Sequence, residues 1–298
     1  MNPNNEKQVF AIIDGNAIVH RAYHALPPFT TKEGVLVNAV YGFFSFIFRV
    51  IKDLQPRAIA VAFDLAAPTF RHQEFDGYKA KRKKAPDNLY HQIPIIKETL
   101  KAFGIKFFTK EGFEADDLLG TMAASVQKSS DLRSIIISTD TDILQLVDHN
   151  TEAMILRRGI SQSVIYDEEG VQRKYQGLNP KQLIDFKALR GDPSDDIPGV
   201  FGVGEKTAIR LLGHFGDLEH LYSSLDKKGT EKIIKKSVFD KLVNQKSQAF
   251  MSRNLAEIRT NVAIDFDVRT CYWQNYNREK VSDILKGLGF SSLIVRLP

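Results

Sequence analysis

Residues Ser134–Asp142 read SIIISTDTD, and the fold turns on how this run is taken. It is too short for a helix of ordinary length, it carries β-branched residues without polar alternation, and it stops in an acidic tail. A strand covered on both faces reads this way. Two other runs match it: VFAIID, Val9–Asp14, and AIAVAFD, Ala58–Asp64. Between them lie stretches with helical spacing, among them NAVYGFFSFIFRVIKDL (Asn38–Leu54) and DDLLGTMAASVQKS (Asp116–Ser129). Strands alternating with helices predict an α/β fold with a mostly parallel central sheet flanked by helices. Function is then expected outside the carboxyl ends of the strands.

The chain has 298 residues, 43% of them hydrophobic and 26% charged, which suits a folded protein of two domains at about 100–200 residues each. From about Leu178 no further central strand is visible. The segment GDPSDDIPGVFGVGEKTA, Gly191–Ala208, introduces a helical, lysine-rich remainder. The predicted division is therefore residues 1–180 as an α/β core and 181–298 as a helical domain. Residues 1–7 are polar and expected to fray. The single cysteine, Cys271, has no disulfide partner, and neither a signal peptide nor an apolar run near 20 residues is visible. A reducing, cytoplasmic setting without a membrane is expected. The net charge of +5 and pI of about 9.1 point mildly to a polyanion, and the placement of the charge decides more than its sum.

The strand-like runs end in Asp14, Asp64, Asp140 and Asp142, and in a parallel sheet those ends share one rim. The stretch EADD, Glu114–Asp117, opens a helical pattern, so Glu114 and Asp117 face one point while Asp116 reaches a neighbouring one. The loop GDPSDD offers Asp192, Asp195 and Asp196 from the second domain. Taken singly, an aspartate at a strand end is often only a cap, and acids in a first helical turn complement its dipole. Taken together they are costly: like charges about 4 Å apart repel by roughly 4 kcal/mol at an effective dielectric of 20. Such a bowl takes up protons or cations, and an all-oxygen donor set suits Mg2+ or Mn2+ rather than zinc.

Between the second and third runs lies FRHQEFDGYKAKRKKAPDNLY, with Lys79, Lys81, Arg82, Lys83 and Lys84 in close succession. Lysine runs are usually a solvated face or a localisation tag, but this one leaves the rim just after Asp64. It is placed to arch over the bowl, with Tyr78 available to stack on a base. Arg71, Lys81, Lys83 and Lys84 are candidate DNA contacts. The glycine-rich IPGVFGVGEKTA is no P-loop, because Glu205 separates the last glycine from Lys206 and no buried strand precedes it. It reads instead as a tight hairpin feeding a helix near Glu205, whose amides hold a backbone phosphate without reading sequence. Gly199, Gly202, Gly204, Lys206, Thr207 and Arg210 are its candidate contacts, with Lys227, Lys228, Lys232, Lys235 and Lys236 beyond them.

In order and spacing, DGNAIVHRAYHA, NAVYGF, FDLAAPTFRH, YKAKR, EADD, TDTDILQLV and GDPSDDIPGVFGVGEKTA resemble the 5'-nuclease domain of bacterial DNA polymerase I and the related flap endonucleases, from about Val9 to Phe290. The resemblance implies a PIN-like nuclease core, a helical arch over residues 72–95, and a helix-hairpin-helix-type DNA-binding domain that often holds K+. It also implies two groups of metal ligands: Asp14, Asp64, Glu114, Asp116 and Asp117 in the first, and Asp140, Asp142, Asp192 and Asp195 in the second. Arg21, Tyr78, Lys79 and Arg82 match positions near the scissile phosphate. The implied activity is hydrolysis of phosphodiesters in nicked, branched or 5'-flap DNA and RNA primer–DNA hybrids by a monomer, in replication and repair. Two departures stand out. Where that family usually has Asp-Lys-Asp and Ser-Asp-Asn, this chain has Asp140-Thr141-Asp142 and Ser194-Asp195-Asp196, which implies a more negative second group. The rival readings are a domain that binds branched DNA without cutting it and a phosphatase of small substrates. The latter lacks an Asp-x-Asp on its first strand, since DGNA supplies no second aspartate.

Overall fold

The computed structural model describes residues 7–157, 162–225, 233–274 and 276–298. Its centre is one sheet of six strands: β1 (Gln8–Asp14), β2 (Ala58–Ala62), β3 (Lys106–Phe108), β4 (Leu132–Ser138), β5 (Thr151–Leu156) and β6 (Ser163–Tyr166). They lie in the order β3-β2-β1-β4-β5-β6, all parallel except β6, which runs antiparallel to β5. The chain builds outward from β1 to β3 on one side, then returns to build from β4 to β6 on the other. The crevice between β1 and β4 is thus the topological switch point, where open α/β sheets bind ligands.

The helices are α1 (Gly15–Ala25), α2 (Asn38–Leu54), α3 (Phe70–Glu74), α4 (Asp87–Tyr90), α5 (Gln92–Ala102), α6 (Ala115–Ser125), α7 (Glu168–Lys174), α8 (Gln182–Arg190), α9 (Glu205–Phe215), α10 (Leu218–Leu225), α11 (Lys236–Asn244), α12 (Lys246–Ala256), α13 (Arg278–Gly287) and α14 (Ser291–Ile294). β1 shows why its run lacks polar alternation. Phe10 and Ile12 pack on one face, in the cluster containing Leu118 and Met122 of α6, while Ala11 and Ile13 pack on the other with α1 and α2. Both faces are covered, so both need apolar side chains.

The runs ending at Asp14, Asp64 and Asp140 correspond to β1, β2 and β4. β3, β5 and β6 were not anticipated. β3 has three residues at the sheet edge, β5 opens on Thr151-Glu152, and the outermost β6 is partly exposed. Sequence periodicity says little over so few residues. The helix expected over Asp116–Ser129 closes a turn early, at Val126.

Two larger expectations need correction. The second unit does not stay apart to residue 298: Trp273 N donates to Arg57 O at 3.0 Å, and α13 and α14 return to the first core. The reason lies in α2, which is buried almost all round. Its far side requires a cover, and Phe290, Leu293 and Leu297 supply one. The segment 72–95, expected as a helical arch, is helical only in part. α3 ends at Glu74, turns follow, and Arg82–Pro86 carry no helix before α4.

Candidate metal centre

The bowl is built by hydrogen bonds at the switch point. Asp14 ends β1 and caps α1: its Oδ1 accepts from Ala17 N at 2.9 Å, and its Oδ2 from Ser138 Oγ at 2.6 Å. Ser138 Oγ in turn accepts from Asp140 N at 3.1 Å, and Asp140 Oδ1 from Asp142 N at 2.9 Å. Asp64, on the loop after β2, caps α6 by accepting from Ala115 N at 2.7 Å. The strand ends and the α6 N-terminus are thereby tied together.

Burial pushes Asp14 up to about 6, against the hydrogen bonds from Ala17 and Ser138. Asp116 rises well above the usual carboxylate range through burial and then the charges of Asp14 and Asp140. Asp140 is pushed up to about 7 by desolvation and then by Asp142. Asp64 is open to solvent at the mouth, yet the protein packed about its carboxylate desolvates it and raises it too, with Glu114 adding to the effect. These oxygens hold more negative charge than their surroundings compensate, as expected of a donor set for hard divalent cations.

The second group is tighter. Ligand oxygens of Asp142, Asp192 and Asp195 lie within 4.8 Å of one another, the one such trio of potential ligands among the described residues. Asp142 and Asp192 border a cleft of about 380 Å3 that is also lined by Asp140, Tyr175 and Lys187. Gly191 and Gly199, with φ of +78° and +62°, close the base of this loop. A Cβ on Gly199 would meet Gly191 N at 2.2 Å, so the approach needs glycine on chemical grounds.

Lys187 of α8 was not foreseen. Its ammonium pairs with Asp142 and sits 2.5 Å from Asp192 Oδ2. Burial opposes ionisation of Asp192, but Lys187 and the Ser194 hydrogen bonds outweigh it and hold the carboxyl down at about 2. A lysine on the helix preceding the acidic loop was the available signal. The expectation that Thr141 and Asp196 leave this group more negative is corrected accordingly. Lys187 supplies a cation from another element, and Asp196 turns away to accept from Lys81 N at 3.0 Å and pair with its ammonium at 3.5 Å.

Lys79 bridges the two groups. Its Nζ donates to both Glu114 oxygens at 3.0 Å and lies 3.7 Å from Asp195 Oδ2. Its backbone has φ of +52°, uncommon for a residue with a side chain, and is held by its N–H to Asp195 O at 3.0 Å. Arg82 is exposed, with its charge felt by Asp14 and Asp64. Arg21 of α1 reaches Leu156 O, at the end of β5, at 3.3 Å.

Four candidates stand elsewhere than expected. Asp117 is fully buried, and each of its oxygens accepts twice: from the Arg71 fork at 2.8 Å on both arms, from Glu114 N at 3.1 Å and from Arg259 N at 2.8 Å. Its lone pairs are spent, leaving none for a metal. Arg71, 2% exposed, also donates to Leu255 O and Glu257 O at the end of α12. It staples the α/β core to the helical part instead of meeting DNA. Tyr78, 3% exposed, donates to Glu114 Oε2 at 3.0 Å and packs with Ile197 and Leu255. No ring face is free to stack. Gly199 spends its N–H on Ser252 Oγ at 3.1 Å and its carbonyl on Gln248.

The rest of the hairpin is open. α9 begins at Glu205 with Gly204 as a cap that has no side chain, Gly202, Lys206 and Arg210 are exposed, and Thr207 is half-buried. Lys81, Lys83, Lys84, Lys235 and Lys236 are exposed as well, while Lys227, Lys228 and Lys232, like residues 1–6, lie outside the described residues. Cys271 is buried, and among the described residues no helix is long and apolar enough to cross a membrane.

Known proteins resemble this chain over both parts of its length. The model of the 5'-3' exonuclease N-terminal resolvase-like domain matches residues 9–176, and that of the 5'-3' exonuclease C-terminal SAM fold matches 178–279. DNA polymerase I of Bacillus subtilis (strain 168) is 42% identical over 292 residues, 98% of this chain and 32% of that protein. The chain thus spans about a third of the length of the curated relatives it matches. A bacteriophage T5 flap endonuclease, solved as a complex with DNA and metal ions, superposes with a TM-score of 0.71 at 21% identity over 95% of this chain and 100% of that one. The catalytic core of Rad2 in complex with DNA substrate gives 0.62 at 20% identity over 96% and 88%. At such identities the superpositions speak to the fold. With both parts of its length matched, in chain order, by models of one family, the chain belongs to the 5'-3' exonuclease family.

Proposed function

We propose that this chain is a structure-specific 5' nuclease that hydrolyses phosphodiesters in 5'-flap and nicked duplex DNA, and in RNA primer–DNA hybrids, leaving 5'-phosphate ends. The observation that carries the reading is the set of under-compensated carboxylates at the switch point, bridged to a second acidic trio by Lys79 and bordered by exposed cations. Asp14, Asp64, Glu114 and Asp116 would hold divalent ions on the rim side and Asp142, Asp192 and Asp195 on the loop side; Asp140, expected in the second group, is assigned to the rim because its charge bears on Asp116. Mg2+ or Mn2+ fits the all-oxygen donors. When bound, such ions acidify water for attack and offset charge on the leaving 3'-oxygen.

The chain's own residues supply the rest. Lys79, already desolvated and held between Glu114 and Asp195, offers a fixed positive charge to the scissile phosphate as negative charge builds up on it. Arg82, whose charge is felt by Asp14 and Asp64, and Arg21 would meet the incoming strand. The hairpin and the exposed first turn of α9 grip a backbone phosphate of the duplex portion, K+ being a fitting third partner there. The staple made by Arg71 and Asp117 keeps that grip at a constant distance from the bowl. Substrate choice then follows geometry and not sequence.

A labelled 5'-flap duplex incubated with the purified chain and Mg2+ tests this. Release of the flap with a 5'-phosphate, abolished by Asp14→Ala, is expected. Binding without cleavage, indifferent to Asp14→Ala, would favour a branched-DNA-binding protein and overturn the nuclease reading.

A further inference from the structure

Phe201 stands at the hairpin tip with 81% of its surface exposed, against 43% for Tyr90. A single exposed apolar side chain is ordinary in itself. This one is set apart by what holds it. Val200 and Val203 on either side are 1% and 3% exposed and anchor the hairpin in the core. Phe201 N donates to Gln245 Oε1 at 2.7 Å, and Gln245 Nε2 returns a bond to Phe201 O at 3.4 Å. Gly199, two residues before, is clamped by Ser252 and Gln248. Loop tips are normally the loosest part of a fold, whereas this tip is fastened to α11 and α12 by side chains whose effect is to present a bare ring to solvent.

Exposed cations stand about the hairpin, alongside the exposed acids Glu205 and Asp240. Lys241 Nζ lies 3.4 Å from Gly202 O, next to the ring's own residue, and Lys206 and Arg210 are exposed along the helix that follows. A rigid apolar group beside exposed cations fits a partner that carries an apolar surface beside regularly spaced anions. Duplex nucleic acid answers that description: sugar faces and base edges line the minor groove directly beside the phosphates. Proteins that enter this groove use apolar side chains as wedges against base steps.

We propose that Phe201 is the hairpin's apolar contact with the minor groove of the duplex, seated beside the phosphate held at the start of α9. The inference rests on the nuclease reading above and adds to it a determinant of binding that carries no charge. Phosphate contacts by lysine and arginine release counterions and make affinity steeply salt-dependent. A ring against sugars and base edges adds affinity without adding to that slope.

The experiment measures binding of a 5'-flap duplex in Ca2+ across a salt series for the full chain, Phe201→Ala and Phe201→Leu. Phe201→Ala should weaken binding by roughly tenfold, the scale of losing one buried aromatic contact, with an unchanged slope of log Kd against log salt. Phe201→Leu should recover much of the loss. A 2-aminopurine base in the gripped duplex should change its fluorescence on adding the parent chain and not on adding Phe201→Ala. The exposed side chain makes no fold-maintaining contact, so thermal melting of both variants should match the parent. If Phe201→Ala binds as tightly as the parent, or loses affinity together with slope, the proposal is overturned while the nuclease reading stands. If the parent chain neither binds nor cleaves the flap duplex, the nuclease reading itself fails and this inference with it.

Discussion

Asp14, at the rim of the sheet, takes its hydrogen bonds from the neutral donors Ala17 N and Ser138 Oγ. Asp192, in the loop closed by Gly191 and Gly199, takes one from the Lys187 ammonium. Both are well buried, at 7% exposure each, yet the first is pushed up to about 6 and the second held down at about 2. Burial drives the first upward with chiefly neutral donors to oppose it, whereas at the second the Lys187 charge and the Ser194 hydrogen bonds outweigh burial. At the rim, Lys79 compensates Glu114, while Asp14, Asp116 and Asp140 stay raised by burial and by the charge of neighbouring carboxylates. The loop group carries a cation of its own, which an incoming metal must displace or tolerate.

The largest effect that sharpens this contrast is on cleavage. Asp116→Ala, in the rim group, should slow single-turnover cleavage by roughly a thousandfold or more, the scale of several kcal/mol of lost charge stabilisation, while flap binding in Ca2+ stays near the parent value. Equal loss of binding and cleavage would mean that the rim holds substrate instead of reacting on it.

Next comes the staple. Arg71→Met leaves Asp117 buried with its charge unpaired, and about 3–5 kcal/mol of unfolding free energy should disappear in urea titration. Unchanged stability with weakened DNA binding would return Arg71 to the interface.

Lys187→Met tests the internal cation directly. Removing one like charge beside Asp142 and Asp192 should tighten Mn2+ binding to the chain at least roughly tenfold, by calorimetry. Weaker or equal binding would show that Lys187 organises the loop rather than competing for it.

A pH series separates the groups at smaller amplitude. The folded pKa of Asp14 at about 6 and of Asp140 at about 7 lie above the unfolded value of 3.8. The folded state therefore binds more protons between those limits, and stability falls as pH rises through the window. Metal-stripped protein should melt a few degrees higher at about pH 5.5 than at about pH 8. Mg2+ should restore the difference at the higher pH and do little at the lower. A metal-free melting point that instead rises toward pH 8 would contradict a charge-starved rim.

The smallest effect belongs to Asp196. Its partner Lys81 has a side chain 90% exposed, so Asp196→Asn should change stability by less than about 1 kcal/mol, since asparagine accepts from Lys81 N and tolerates the φ of +55° there. A large loss would make this contact a structural tie between the segment after α3 and the loop.

Much of the bowl was legible in sequence because strand burial leaves a plain signature. Short, largely apolar runs without polar alternation that end in aspartate place Asp14, Asp64 and Asp140 on one rim once the sheet is parallel, and EADD marks a helix start wherever it lies. The GVFGVGEK stretch likewise announces a hairpin and a helix, through glycine spacing alone. What sequence left open were partnerships between distant residues. Nothing local distinguishes Asp117, saturated by Arg71 and by Arg259 of a far segment, from Asp116 one position earlier, which faces the bowl. The helix turns about 100° per residue, and only packing decides which carboxylate meets an arginine and which meets the charges of Asp14 and Asp140. Lys187, Tyr78 and the returning α13 and α14 are of the same kind. Pattern and propensity act over a few residues and determined the elements and their acidic ends. Charge compensation acts across space, so only the tertiary structure decided which of those acids remain available for a cation.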